Sequence, residues 1–106
     1  MLFAGTTEGR KLCEYLTGKN CDTYVYVTTE YGRELLPQAD NVHIHIGRMD
    51  EADMLKELEA KKPYIVIDAT HPYATQVTHN IKNVCDSKNI SYVRVLREDN
   101  DKKPEF

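Results

Sequence analysis

Along the chain the spacing of apolar residues switches repeatedly between the period of a strand and that of a helix. An apolar stub, Met1-Leu2-Phe3-Ala4, runs into Gly5-Thr6-Thr7-Glu8-Gly9-Arg10, behind which Leu12, Tyr15 and Leu16 recur at helical spacing. This pattern predicts a strand, a glycine turn and a helix. Gly18 and Asn20 accept the left-handed conformation of a helix end, and Thr23 to Thr28 then reads as a β-branched and aromatic strand. Glu30 to Leu36 allows at most a helical turn before Pro37. Val42, Ile44 and Ile46 alternate with His43 and His45, which predicts a half-exposed third strand. Asp50 is placed to cap a surface helix carrying Met54, Leu55 and Leu58, broken by Lys61-Lys62-Pro63. Tyr64-Ile65-Val66-Ile67, closed by Asp68, is the continuous apolar run of a strand covered on both faces. The clearest helix carries Ala74, Val77, Ile81, Val84 and Cys85, with Pro72 in its first turn, His71 as its extended capping residue and Asn89 at its end. Ile90 to Leu96 supplies a fifth strand.

Strands alternating with helices imply parallel strands joined by right-handed crossovers, hence an α/β fold: a doubly wound, Rossmann-like parallel sheet of five strands in the order 3-2-1-4-5. In that order the first and fourth strands are neighbours at the topological switch point, where such sheets bind ligands beyond the carboxyl ends of the strands. The loops leaving those strands, Gly5 to Arg10 and Asp68 to Tyr73, are the two most distinctive stretches of the sequence. With 106 residues, one domain is expected: residues 1–98 as the α/β unit, and 99–106 as a polar linker or frayed end.

Composition narrows the function classes. Apolar residues make up 41% and charged residues 29%, which fits a soluble globular domain rather than a disordered chain. No apolar run reaches the roughly 18 residues of a membrane span, so a cytoplasmic location is expected. Fourteen Lys and Arg stand against 17 Asp and Glu without a basic cluster, which argues against nucleic acid. Cys13, Cys21 and Cys85 lack metal-ligand spacing and are read as reduced, buried thiols; no metal site is expected.

A glycine turn opening a helix brings backbone N–H groups and the helix dipole to a phosphate, with Gly5 and Gly9 giving room. The full G-x-G-x-x-G is absent, and plain turn chemistry is the alternative. Thr6 and Thr7 either bond a phosphate or cap the helix, with capping expected of one. Glu8 favours the dipole yet repels a pyrophosphate unless it turns away or accepts a ribose or amide proton; Arg10 offsets it or is merely solvated. Glu30 lies slightly beyond the second strand, near where dinucleotide folds place an acid on the ribose. Thr28 and Thr29 leave space there for a 2′-phosphate, with Arg33 and Arg48 within reach or simply surface residues. His71 is a proton or hydrogen-bond donor to a ligand, or a structural cap. Asp68 is held by the neighbouring loop or faces the crevice. His43, His45 and His79 are read as exposed and inert.

At these residues the chain resembles the precorrin-6A reductases of corrin-ring biosynthesis, including the cobalt-precorrin-6A form. The matching stretches are Phe3 to Arg10, Thr28-Thr29-Glu30-Tyr31-Gly32, Gly47-Arg48, Asp68-Ala69-Thr70-His71-Pro72-Tyr73-Ala74, and Arg94 with Arg97. Ala4 stands where the commonest family pattern has a second glycine. The resemblance implies the amino-terminal domain of a longer, two-domain enzyme that passes hydride from NADPH or NADH to a tetrapyrrole, the partner domain being absent. It further implies coenzyme contacts from Gly5, Thr6, Thr7, Glu8, Gly9, Arg10, Thr28, Thr29, Glu30, Arg48 and Thr70, and a reacting face lined by His71 and Tyr73. Arg10, Arg48, Arg94 and Arg97 would meet the substrate's carboxylates. The competing class is a non-catalytic nucleotide-binding or regulatory α/β module, which the same strand order supports.

Overall fold

The structure, a computed structural model, describes residues 1–96. Its elements in chain order are β1 (Leu2–Ala4), α1 (Thr7–Leu16), β2 (Thr23–Val27), α2 (Glu30–Glu34), β3 (Val42–Ile46), α3 (Glu51–Lys61), β4 (Ile65–Ala69), α4 (Thr75–Lys88) and β5 (Ser91–Arg94). The five strands form one parallel sheet in the order β3-β2-β1-β4-β5. In register, Leu2 faces Val25 on one side and Ile67 on the other.

The period-2 alternation of the strands divides the core into two layers. Leu2, Val25, Val27 and Ala69 point to the face covered by Cys13 of α1 and by Leu36. Phe3, Tyr26 and Val66 point to the opposite face, where Met54 and Leu58 of α3 and Ile81, Val84 and Cys85 of α4 close over them, with Val77 packed alongside. The crossover from β3 to β4 therefore moves the chain from one face to the other, and the carboxyl ends of β1 and β4 are left open between the layers.

Helix ends follow local chemistry. Thr6, Thr29 and Asp50 cap α1, α2 and α3 through side-chain oxygens. Lys62 and Asn89 close α3 and α4 in the left-handed conformation.

Several sequence expectations are corrected. The last helix begins at Thr75, with Ala74 as its N-cap and no side-chain cap, so Pro72 is not in its first turn and His71 does not cap it. Instead His71 to Ala74 form a turn in which the Ala74 N–H donates to the His71 carbonyl at 2.9 Å. Pro72 takes the second position of that turn, where its fixed φ is favourable. Tyr64 is 99% exposed and lies outside β4, so the covered run starts at Ile65. Cys13 and Cys85 are buried, but Cys21 is exposed. Burial raises the thiol pKa of both buried cysteines, that of Cys85 to about 11. Arg97 and the expected boundary at 98/99 lie outside the described residues.

Candidate functional site

The turn after β1 is fastened to the end of β4 by one side chain. Thr6 Oγ1 accepts from the Gly9 N–H at 3.2 Å and donates to the Ala69 carbonyl at 2.9 Å. The Arg10 N–H is taken by the Thr6 carbonyl. The N–H groups of Thr7 and Glu8, in the first turn of α1, have no partner within the helix. Gly5 lies against the loop after β4: a Cβ there would sit 3.6 Å from Thr70 Cα and 3.7 Å from the His71 nitrogen. Gly9 is tighter, since its Cβ would meet Ala69 Cβ at 3.1 Å and Ala4 Cα at 3.2 Å. Gly9 thus lets α1 approach both central strands.

Two clefts open at the carboxyl edge of the sheet. The first, of about 530 Å³, is lined by Gly5, Thr6, Thr7 and Arg10, by Thr28 and Thr29, by Tyr31 of α2 and Leu35 at its end, and by His71. The second, of about 690 Å³, opens on the α3/α4 face and takes Thr70, Arg48, Met49, Met54, Gln76, Val77 and Asn80 into its walls. Ala4, Val27 and Thr28 belong to both, so the clefts meet over the ends of β1 and β2.

Beneath the loop after β4 lies a buried polar centre that the sequence did not reveal. The fully buried Asp68 carboxylate accepts from Thr70 N (3.1 Å), Thr70 Oγ1 (2.7 Å), Thr78 Oγ1 (2.8 Å) and Tyr92 OH (2.8 Å). Arg94 Nη1 donates to the Asp68 carboxylate at 3.3 Å and to the Asp68 and Thr70 carbonyls at 3.1 and 3.0 Å. Burial pushes the Asp68 pKa up, but the donors from Thr70, Thr78 and Tyr92 outweigh it and hold the carboxyl below its ordinary value. Burial, and then the bond to Asp68, raise the Tyr92 phenol. Asp68 is held by its loop and by two further elements, and Arg94 ends β5 as a structural cation.

The first cleft gathers Gly5, Thr6, Thr7, Arg10, Thr28, Thr29 and His71. Arg48 and Thr70 stand on the second. Gly9 is buried on the inner side of α1, and Glu30 is ion-paired with Arg33 through Nε at 2.8 Å, outside the lining of either cleft. Glu8 Oε1 and Arg10 Nε are buried without a hydrogen-bond partner among the described residues. Tyr73 is 88% exposed beside His71, with ring centroids 5.1 Å apart, and its N–H donates to His71 Nδ1 at 3.2 Å. His43 and His45 are exposed, His43 bonded to Asp22; His79 is exposed and bonded to Asn83. Among the described residues no group of three or more His, Cys, Asp or Glu is placed to hold a metal ion. No helix there is long and apolar enough to cross a membrane.

The family described as "Precorrin-6x reductase CbiJ/CobK" matches residues 1–105. Similar proteins include a cobalt-precorrin-6A reductase of Synechocystis sp., 28% identical over 91% of this chain and 37% of its own length. That of Salmonella typhimurium is 30% identical over 92% of this chain and 36% of its own length. That of Methanothermobacter thermautotrophicus is 34% identical over 92% and 32%. A solved structure of CobK precorrin-6A reductase superposes with a TM-score of 0.76 at 26% identity, covering 91% of this chain and 38% of that one. The chain thus spans about a third of the length of these relatives.

Proposed function

The chain belongs to the precorrin-6x reductase family, and from that membership and the first cleft we propose that it is the coenzyme-binding part of a reductase. The reaction is hydride transfer from NADPH or NADH to precorrin-6A or cobalt-precorrin-6A, a cytoplasmic step of cobalamin synthesis that needs the remaining length of the enzyme. The residues present fit a nicotinamide dinucleotide. The cleft pairs an open helix start with Arg10, whose Nε lies 4.0 Å from Glu14 Oε2 and has no hydrogen-bond partner among the described residues, and with the hydroxyls of Thr28 and Thr29. It ends on exposed Tyr31 and Leu35, flat apolar surface suited to a base.

When bound, the coenzyme supplies the hydride. The N–H groups of Thr7 and Glu8 receive phosphate oxygens, and Arg10 neutralises their charge. Thr28 and Thr29 orient the ribose. His71, bordering the same cleft, and Tyr73 beside it are the proposed side chains toward the substrate, whose carboxylates would meet Arg10 and Arg48. Glu30, paired with Arg33, and Glu8 with its unpartnered oxygen flank the site as candidate acceptors of ribose or amide protons.

The observation that carries this reading is the Thr6 bond to Ala69, which makes one cleft of the phosphate turn and the His71 loop. Calorimetric titration with NADPH and with NADH tests it. Saturable binding of either coenzyme is expected, and heat indistinguishable from dilution for both rejects the reading.

A further inference from the structure

The Asp68 carboxylate ties together the two ends of the His71 loop. Its Oδ1 takes the Thr70 N–H and hydroxyl, just past the end of β4, and its Oδ2 takes the Thr78 hydroxyl, in the first turn of α4. The two anchors also meet each other, Thr70 Oγ1 lying 3.2 Å from Thr78 Oγ1. Every polar group of Thr70 is engaged, because its carbonyl accepts from Arg94 Nη1 at 3.0 Å. Between the anchors lie His71, Pro72 and Tyr73, all exposed. The turn they form has bonds of its own, from the Ala74 N–H to the His71 carbonyl and from the Tyr73 N–H to His71 Nδ1. Those bonds set the shape of the turn, whereas its place over the sheet is set by the anchors.

We infer that Thr78 is a positioning residue: through the Asp68 carboxylate its hydroxyl fixes the exit of the loop and so holds His71 and Tyr73 at the first cleft. The inference rests on the reductase reading of that cleft and deepens it. Thr78 lines neither cleft, so it acts only through other residues. Its hydroxyl is also surplus to the helix, since the helical bond of Thr78 runs from its backbone N–H to the Ala74 carbonyl at 3.1 Å. What the hydroxyl does is join α4 to the carboxylate that grips Thr70. Gly5 packs on the same anchor, a Cβ there standing 3.6 Å from Thr70 Cα and 3.7 Å from the His71 nitrogen, so a shift of the anchor alters the wall of the cleft. Tyr92 supplies an internal reference. Its hydroxyl donates to the same Asp68 Oδ2 at the same 2.8 Å as Thr78, but it joins β5 to β4 and lies outside the loop. The two bonds match in acceptor and length and differ in what they tie.

Thr78→Val, which keeps the shape and removes the hydroxyl, is compared with Thr78→Ser and with Tyr92→Phe. In the chain itself, amide relaxation NMR of Thr78→Val is expected to show the order parameters of His71, Tyr73 and Ala74 falling from a rigid level of about 0.85 toward about 0.6. Thr78→Ser restores them, and Tyr92→Phe leaves them at the parent level. In the full-length enzyme, Thr78→Val is expected to lower turnover roughly tenfold with the coenzyme KM changed less than about twofold, misplacement near a reacting centre being costly to kcat. Thr78→Ser recovers turnover. Tyr92→Phe lowers the unfolding midpoint as Thr78→Val does and keeps turnover, a difference that a merely structural Thr78 would not produce. Equal turnover in Thr78→Val and Tyr92→Phe, or order parameters that fall alike in both, would overturn the positioning role. If His71→Ala is impaired in that experiment, the reading of the cleft survives; if His71→Ala also turns over as the parent does, the role given to His71 fails and the inference with it.

Discussion

Thr6 and Ala69, 63 positions apart, are joined by a 2.9 Å hydrogen bond from a hydroxyl that also caps α1. One side chain therefore sets the start of the first helix and its distance from the end of the fourth strand. Thr6→Val keeps the shape and removes both bonds. The expected loss is roughly 1–3 kcal/mol in urea unfolding, from the lost cap and the unpaired Ala69 carbonyl. Thr6→Ser should recover most of it; a Thr6→Val variant as stable as the parent would show that the hydroxyl does not matter.

The two glycines of the turn separate ligand approach from packing. A Cβ at Gly9 meets Ala4 Cα at 3.2 Å, and a strand backbone cannot yield. Overpacking of about 1–3 kcal/mol should therefore exceed the roughly 1 kcal/mol that alanine gains over glycine within a helix. Gly9→Ala is expected to be net destabilising. Gly5→Ala, whose Cβ meets only ordinary contacts at 3.6 and 3.7 Å, should stay within about 1 kcal/mol of the parent. Equal midpoints for the two variants in thermal unfolding would contradict this division.

Asp68 predicts an acid-sensitive fold. Its folded pKa lies below the ordinary value, so its contribution is fully present above the unfolded carboxyl pKa of about 4 and is lost as pH falls through the folded pKa. Asp68→Asn should cost roughly 2–4 kcal/mol at neutral pH, since Arg94 loses its counter-charge. The variant should also show a shallower fall in stability below about pH 4. Parallel pH curves for parent and variant would remove Asp68 from the account of acid unfolding.

Much of this architecture was legible in the chain. Ile65 to Ile67 marked a central strand, and the period of Val77, Ile81 and Val84 marked the helix over it. The start of that helix at Thr75 is not legible in the sequence, because Pro72 suits either a first helical turn or the second position of a β-turn and local sequence does not distinguish them. The Asp68 centre was less visible for a different reason. Its donors Thr78, Tyr92 and Arg94 come from 10 to 26 residues away, and only the folded sheet brings them together. A signal did exist: Tyr92 and Arg94 are two apart on an edge strand, hence on one face, and Arg94 pairs in register with Asp68. The clefts were partly foreseen. Strand order placed the glycine turn beside the His71 loop, but that Arg48 stands in a different cleft from Arg10 depends on the path of the β3–α3 loop.

His71 separates a structural role from a functional one. It is exposed and caps no helix, so His71→Ala should change stability by less than about 1 kcal/mol. In the full-length enzyme the same substitution should lower turnover more than it weakens coenzyme binding. Intact turnover would leave His71 as a turn residue only.

The central claim is that the turn from Gly5 to Arg10 receives the coenzyme phosphates. The most direct measurement is titration of the parent chain and of Gly5→Val with NADPH and NADH, followed by nicotinamide fluorescence, with circular dichroism of both proteins. The account predicts saturable enhancement in the parent, its abolition in Gly5→Val, and the same native dichroism spectrum for each. Undiminished coenzyme affinity in a natively folded Gly5→Val would contradict it.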